Sequence, residues 1–271
     1  TQQWVPGCGR LLATGAYRRA LFPTIVAYSC QFERADNSGD NATVTKHSAP
    51  LFEHHPTHDH HTLLYETRDE QFQNASRFVS DGLAANDYCL YVGSENTEEQ
   101  ITNALRNAGI NVEAAIDSGQ LALCRATEFY LPDGEFDPDA TVERLKTAAS
   151  DAVNAGFNRL RVTGEMAWAA DRSIDVALLE EYEERANAVL PDATIVGLCQ
   201  YNRCEFDPGV LQTLLKTHPV VHHDARECAN CYYKPSAERS AESTDPGAID
   251  RKVQTITDQN AAVHSLENRA D

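Results

Sequence analysis

The chain has 271 residues, enough for one good-sized domain with flanks, and 42% of them are hydrophobic, an ordinary share for a globular protein. No apolar run approaches the roughly 20 residues that a membrane helix needs, so no membrane contact is expected. The formal net charge is -18, from 41 Asp and Glu against 23 Lys and Arg. Such a surface repels nucleic acid, so no direct DNA binding is expected, and it suits a protein kept soluble in a very salty cytoplasm.

Residues 1–58 read as a poorly ordered leader, because ADNSGDNATVTKHSAP is polar and rich in turn formers and cannot bury enough surface to fold. Within it, Arg18-Arg19 before an apolar stretch faintly resembles a twin-arginine export signal. That stretch is short and broken by Pro23, and a cytoplasmic location is the preferred reading. From residue 59 strand and helix signals alternate. HTLLYE (61–66) reads as a buried strand, and Phe72, Phe78, Val79 and Leu83 then recur at helical spacing until Gly82 and Asn86. YCLYVG (88–93) is a second strand, and Thr97 opens a helix that carries Ile101, Leu105 and Ala108 and stops at Gly109. LALC (121–124) is a third strand, and YLPDGEFDP (130–138) is turn chemistry before a helix over 139–155. RLRVTG (159–164), a helix over 175–190, TIVGLCQY (194–201) and a helix over 208–217 complete the series.

Strands separated by helices predict a three-layer α/β fold, a mainly parallel sheet with helices on both faces. Ligands of such sheets sit outside the carboxyl ends of the strands, here Tyr65-Glu66, Gly93-Ser94-Glu95, Gly164-Glu165 and Gln200-Tyr201. After a domain over 59–235, residues 236–271 read as a polar linker and then a helix. Ile249, Val253, Ile256, Asn260 and Val263 are spaced 4-3-4-3, a heptad seam that suits a homodimer or signal-transmitting helix over 248–267.

The loop after the second strand has the layout of a phosphate-binding loop without its chemistry. Registered on Gly93, the motif G-x-x-x-x-G-K-S/T would need Gly, Lys and Ser or Thr where Glu98, Glu99 and Gln100 stand. Carboxylates aimed at phosphate reverse the electrostatics, whereas Thr97-Glu98-Glu99-Gln100 makes a good helix-capping box. ATP hydrolysis and nucleotide cofactors are therefore not expected. Glu165 and Trp168 follow the fourth strand and read as pocket lining. Two metal-like clusters are weak. His54, His55, His58, His60 and His61 crowd the leader's end, and Cys228-x-x-Cys231 with His218, His222 and His223 just upstream is half of a zinc site at best. The eight cysteines sit mostly in apolar strand settings, as Cys89, Cys124 and Cys199 do, and read as reduced thiols.

In order, DHHTLLYETRDEQ, CLYVGSE, LRVTGEMAW, LLEEYEERAN, LCQYNRCEF and LLKTHP resemble the MEDS domain, the methanogen/methylotroph, DcmR sensory domain. The acidic composition would make this a haloarchaeal-type member. The resemblance implies a RecA/KaiC-like fold without a functional phosphate loop, and a sensory role for small hydrocarbon-derived or related signals. Carried over by position, it marks His61, Tyr65 and Glu66, then Glu165 and Trp168, Glu183, and Cys199 and Tyr201. Where the family often reads C-x-N-P-Y-Y, this chain has Cys231 in place of the Pro, which weakens the zinc reading. With the strand ends, these residues give a candidate ligand site of His61, Tyr65, Glu66, Gly93, Glu95, Glu165, Trp168, Glu183, Cys199 and Tyr201. The leading reading is a non-catalytic signal-input domain acting on a histidine kinase or transcription regulator through the C-terminal helix. The alternatives are a degenerate hydrolase using Glu165 and a purely structural interaction domain.

Overall fold

The computed structural model describes residues 59–171, 174–190, 194–223, 226–234 and 247–267. The expected leader, with His54, His55 and His58, and the start of the expected linker lie outside the described residues.

The strands are β1 His60–Tyr65, β2 Tyr88–Gly93, β3 Leu121–Arg125, β4 Leu160–Glu165, β5 Ile195–Asn202, β6 Val220–His223 and β7 Arg226–Ala229. They form one 7-stranded sheet in the order β3-β2-β4-β5-β1-β6-β7, parallel except for β7, which runs antiparallel to β6. The helices are α1 Arg68–Ala84, α2 Glu98–Asn107, α3 Val112–Asp117, α4 Ala126–Phe129, α5 Pro138–Asn154, α6 Ala167–Asp171, α7 Val176–Val189, α8 Pro208–Thr217 and α9 Gly247–Glu267. The chain steps one way across the sheet from β1 to β3 and the other way from β3 to β6. Right-handed crossovers therefore put α1–α3 on one face, here the front, and α4–α8 on the back.

Strand alternation matches this division. On the front, Cys89, Tyr91, Leu121 and Leu123 meet Val79, Ile101, Leu105 and Val112, while Leu63, Tyr65, Val196 and Leu198 meet Phe78. On the back, Leu64, Leu90, Val92, Leu160, Cys199 and Tyr201 join the larger core with Trp168, Tyr182, Leu211 and Leu214. Gly164 lets Tyr130 approach: a Cβ there would lie 2.2 Å from the Tyr130 hydroxyl.

Local chemistry explains the boundaries. The Thr97 side chain accepts from the Gln100 amide, and the Gln100 side chain accepts from the Thr97 amide, the capping box anticipated above. Gly109 follows α2 at φ 89°, a left-handed position that glycine takes without strain. Asp137 caps α5, whose first residue is Pro138. The hairpin of β6 and β7 departs from expectation, because its four-residue strands are too short to show a period. Cys89, Cys199, Cys204, Cys228 and Cys231 are free thiols, whereas Cys124, read with them as reduced, is disulfide-bonded.

The C-terminal seam also departs from expectation. Ile249, Val253 and Ile256 are buried in the chain's own back-face core, so they are not free to face a second copy. The Asn260 side chain pairs with β7, its Oδ1 accepting from the Ala229 amide at 3.1 Å and its Nδ2 donating to the Ala229 carbonyl at 3.2 Å. The side chain of Val263 lies outside the described residues.

Candidate functional site

β4 delivers Glu165 to the front of the sheet beside Gln200, its register partner on β5. Next to it the chain turns from β2 into α2 through Ser94, Glu95 and Asn96. The amides of these three residues all donate to Glu165 Oε2, at 2.7, 2.9 and 3.0 Å. Glu165 Oε1 accepts from the Tyr91 hydroxyl at 3.0 Å and from Asn96 Nδ2 at 2.9 Å. Successive amides converging on one point make an anion seat, and here the chain's own carboxylate fills it. Burial raises the Glu165 pKa, against the pull of the Asn96, Ser94 and Tyr91 donors. A chain of amides extends the network: Asn96 Nδ2 donates to Gln71, Gln71 to Gln200, and Gln200 to Thr163.

Other strand-end residues join this group in part. The Tyr65 hydroxyl donates to the Glu95 carboxylate, and burial followed by that contact raises the Tyr65 pKa. Gly93 lets α2 come close, since a Cβ would meet Ile101 Cδ1 at 2.7 Å. Glu66 points elsewhere. It is exposed and pairs with Arg203, which also holds Asp250 of α9 at 3.0 Å. Trp168 is only 3% exposed and stacks on Tyr130 at 4.8 Å in the back-face core. The ten candidate residues therefore do not converge on one pocket. Tyr65, Gly93, Glu95 and Glu165 gather at the front, Trp168, Glu183, Cys199 and Tyr201 lie on the back, and Glu66 is at the rim.

The back face carries a second buried carboxylate. Glu183 of α7 is 0% exposed. Its Oε2 lies 3.1 Å from His60 Nε2, 3.3 Å from His218 Nε2 and 3.9 Å from Cys199 Sγ, and the Tyr201 hydroxyl donates to its Oε1. His60 opens β1 and His218 ends α8, so four elements meet at this point. Burial opposes the charge on Glu183, but His218 and His60 outweigh it and hold the pKa well below the ordinary carboxylate range. Burial and then His218 lower the His60 pKa, while burial and Glu183 raise that of the Cys199 thiol. From sequence, His60 and His218 were weighed only in two other metal-like groups, His60 in the histidine run at the leader's end and His218 beside Cys228-x-x-Cys231, and nothing joined either of them to Glu183.

His61 is on the front, its Nδ1 2.8 Å from His222 Nε2. His222 and Cys228 lie on opposite faces, because Cys228 registers with Val221. Cys231 is exposed beyond β7, and His223 lies 4.0 Å from Glu70. The half zinc site weighed from sequence is thus dispersed.

Comparison with known proteins adds two findings. Residues 59–219 match the family model described as MEDS, the MEthanogen/methylotroph, DcmR Sensory domain. The chain is also 26% identical over 175 residues to a protein named transcriptional repressor DcmR from Methylorubrum extorquens, an alignment covering 63% of this chain and 62% of that relative. No helix among the described residues is long and apolar enough to cross a membrane.

Proposed function

The chain belongs to the MEDS family, and from that premise we propose that it is a non-catalytic, cytoplasmic signal-input domain that senses a small molecule and acts on a transcription regulator or histidine kinase. One observation carries the reading: the amides of Ser94, Glu95 and Asn96 are spent on Glu165. A nucleotide phosphate would have to displace a buried carboxylate held by five donors. The same bonds leave Glu165 no free oxygen with which to activate a water, which argues against the hydrolase alternative. The relative's name supports a regulatory context, carried here as part of the proposal.

Arg203 supplies a route outward, because it bridges Glu66 at the end of β1 to Asp250 on α9. A ligand at the strand ends that took Glu66 from Arg203 would loosen the start of α9. Two measurements test the proposal on protein purified from its own cells. Native mass spectrometry should find a retained small organic molecule, and unfolding and refolding that strips it should speed amide exchange in 247–267. A thermal titration with Mg-ATP should give no shift. Saturable stabilisation by Mg-ATP, or no retained molecule together with unchanged exchange, would overturn the proposal.

A further inference from the structure

The back-face cluster is unfinished as a hydrogen-bond network. The Leu214 carbonyl only accepts, so His218 Nδ1, 2.8 Å away, carries the ring hydrogen. Asn187 Nδ2 donates to the Thr217 carbonyl, which turns Asn187 Oδ1 towards His60 Nδ1 at 3.0 Å, so His60 Nδ1 carries its hydrogen as well. In both rings Nε2 is then the atom turned toward one carboxylate, 3.1 and 3.3 Å from Glu183 Oε2. His218 Nε2, fully buried, makes no hydrogen bond.

We propose that His60, Glu183, Cys199 and His218 form a buried site for one divalent transition-metal ion of the zinc class. Their ligating atoms all lie within 4.8 Å of one another. Zinc-ligand bonds of about 2.0–2.3 Å give tetrahedral edges of about 3.3–3.6 Å. The observed separations, 3.1 Å for His60–Glu183, 3.3 Å for His218–Glu183, 3.7 Å for His60–Cys199 and 3.9 Å for Cys199–Glu183, bracket those edges. Charge also balances: a dication meets one carboxylate and one thiolate in a site closed to water. Coordination breaks the Cys199 S–H bond, forms the metal–sulfur bond and releases the proton to solvent. The outer contacts are those that orient metal ligands, each imidazole N–H held by a carbonyl-type oxygen and the carboxylate by the Tyr201 hydroxyl. With four protein ligands the site is closed, which makes it structural, tying β1 to α7, β5 and the end of α8. It is independent of the sensory proposal.

The full chain, unfolded with chelator and refolded with Co2+, tests the assignment. The expected result is one tightly held ion per chain, with tetrahedral visible bands and a thiolate-to-cobalt charge-transfer band. That band should vanish in Cys199→Ala and persist in Cys228→Ala and Cys231→Ala. X-ray absorption of the wild-type protein needs no variant, and should show one sulfur among nitrogen and oxygen ligands. No bound ion, a band that survives Cys199→Ala, or two sulfur ligands would overturn the proposal.

Discussion

The front and back of the sheet each bury one glutamate, and the two are solvated in opposite ways. Glu165 receives five hydrogen bonds, three of them from consecutive backbone amides. Glu183 receives one clear hydrogen bond from a hydroxyl, that of Tyr201, and otherwise faces two imidazoles and a thiol. A buried charge is tolerated when dipoles or counter-ions replace water. The backbone itself does so at the front, fixed by the turn from β2 into α2. At the back, the Tyr201 hydroxyl, two imidazoles and a thiol from four elements crowd the carboxylate instead. Burial and residue type alone therefore do not define a site; the groups that surround the carboxylate do.

The largest effect that probes this contrast concerns imidazoles without a buried carboxylate. Burial and then His61 push the His222 pKa down to about 3, with Arg161 and Arg77 adding to the shift and Glu227 opposing it. Between about pH 6.5, the ordinary imidazole value, and about 3, the unfolded chain binds a proton that the folded chain refuses. Stability therefore falls as pH falls through that window. Urea midpoints measured across it should lose much of this slope in His222→Gln, and an unchanged slope would count against a buried neutral His222.

Next in size is Glu165→Gln, which places a neutral amide among donors that need an acceptor. The loss should be about 2–4 kcal/mol by urea denaturation, and a loss below about 1 kcal/mol would break the contrast. Asn260→Ala leaves the Ala229 amide and carbonyl without their side-chain partner; about 1–2 kcal/mol is expected, read most directly as faster exchange in α9. The smallest effect is Glu183→Gln in metal-free protein, about 1 kcal/mol, because the new amide can face the His60 and His218 nitrogens with its NH2 while its oxygen still accepts from Tyr201. The same substitution thus costs much at one glutamate and little at the other, and equal costs would dissolve the distinction.

Much of the sheet was legible in the sequence, because β1 to β5 are buried, β-rich runs between helices whose caps are explicit, such as Thr97–Gln100 and Asp137–Pro138. The hairpin of β6 and β7 was not, since His222, His223 and Cys228 drew attention as metal ligands while the strands themselves are four residues long. Glu165 was found by the strand-end rule, but the rule names ends and not faces. Register sends Glu165 and Gln200 to one side and Tyr201 to the other, so residues adjacent along the chain belong to different layers. The partners of Glu183 were harder still. His60 and His218 lie about 160 residues apart in the chain, and only parallel pairing and the placement of α8 bring them together. One usable signal was present: Cys199 and Tyr201 are two apart on a strand and so share a face.

The pairing of Asn260 with Ala229 has a consequence for the edge of the sheet. β7 is the last strand of its sheet, and a last strand with bare amides and carbonyls invites another chain to zip onto it. Here a side-chain amide imitates the missing neighbour strand at one position, and Ile249, Val253 and Ile256 hold its helix over the adjoining core. The helix is a stopper for that edge. Drawing it out would uncork an adhesive edge, so the movement of α9 proposed above would also bare a surface able to recruit a companion.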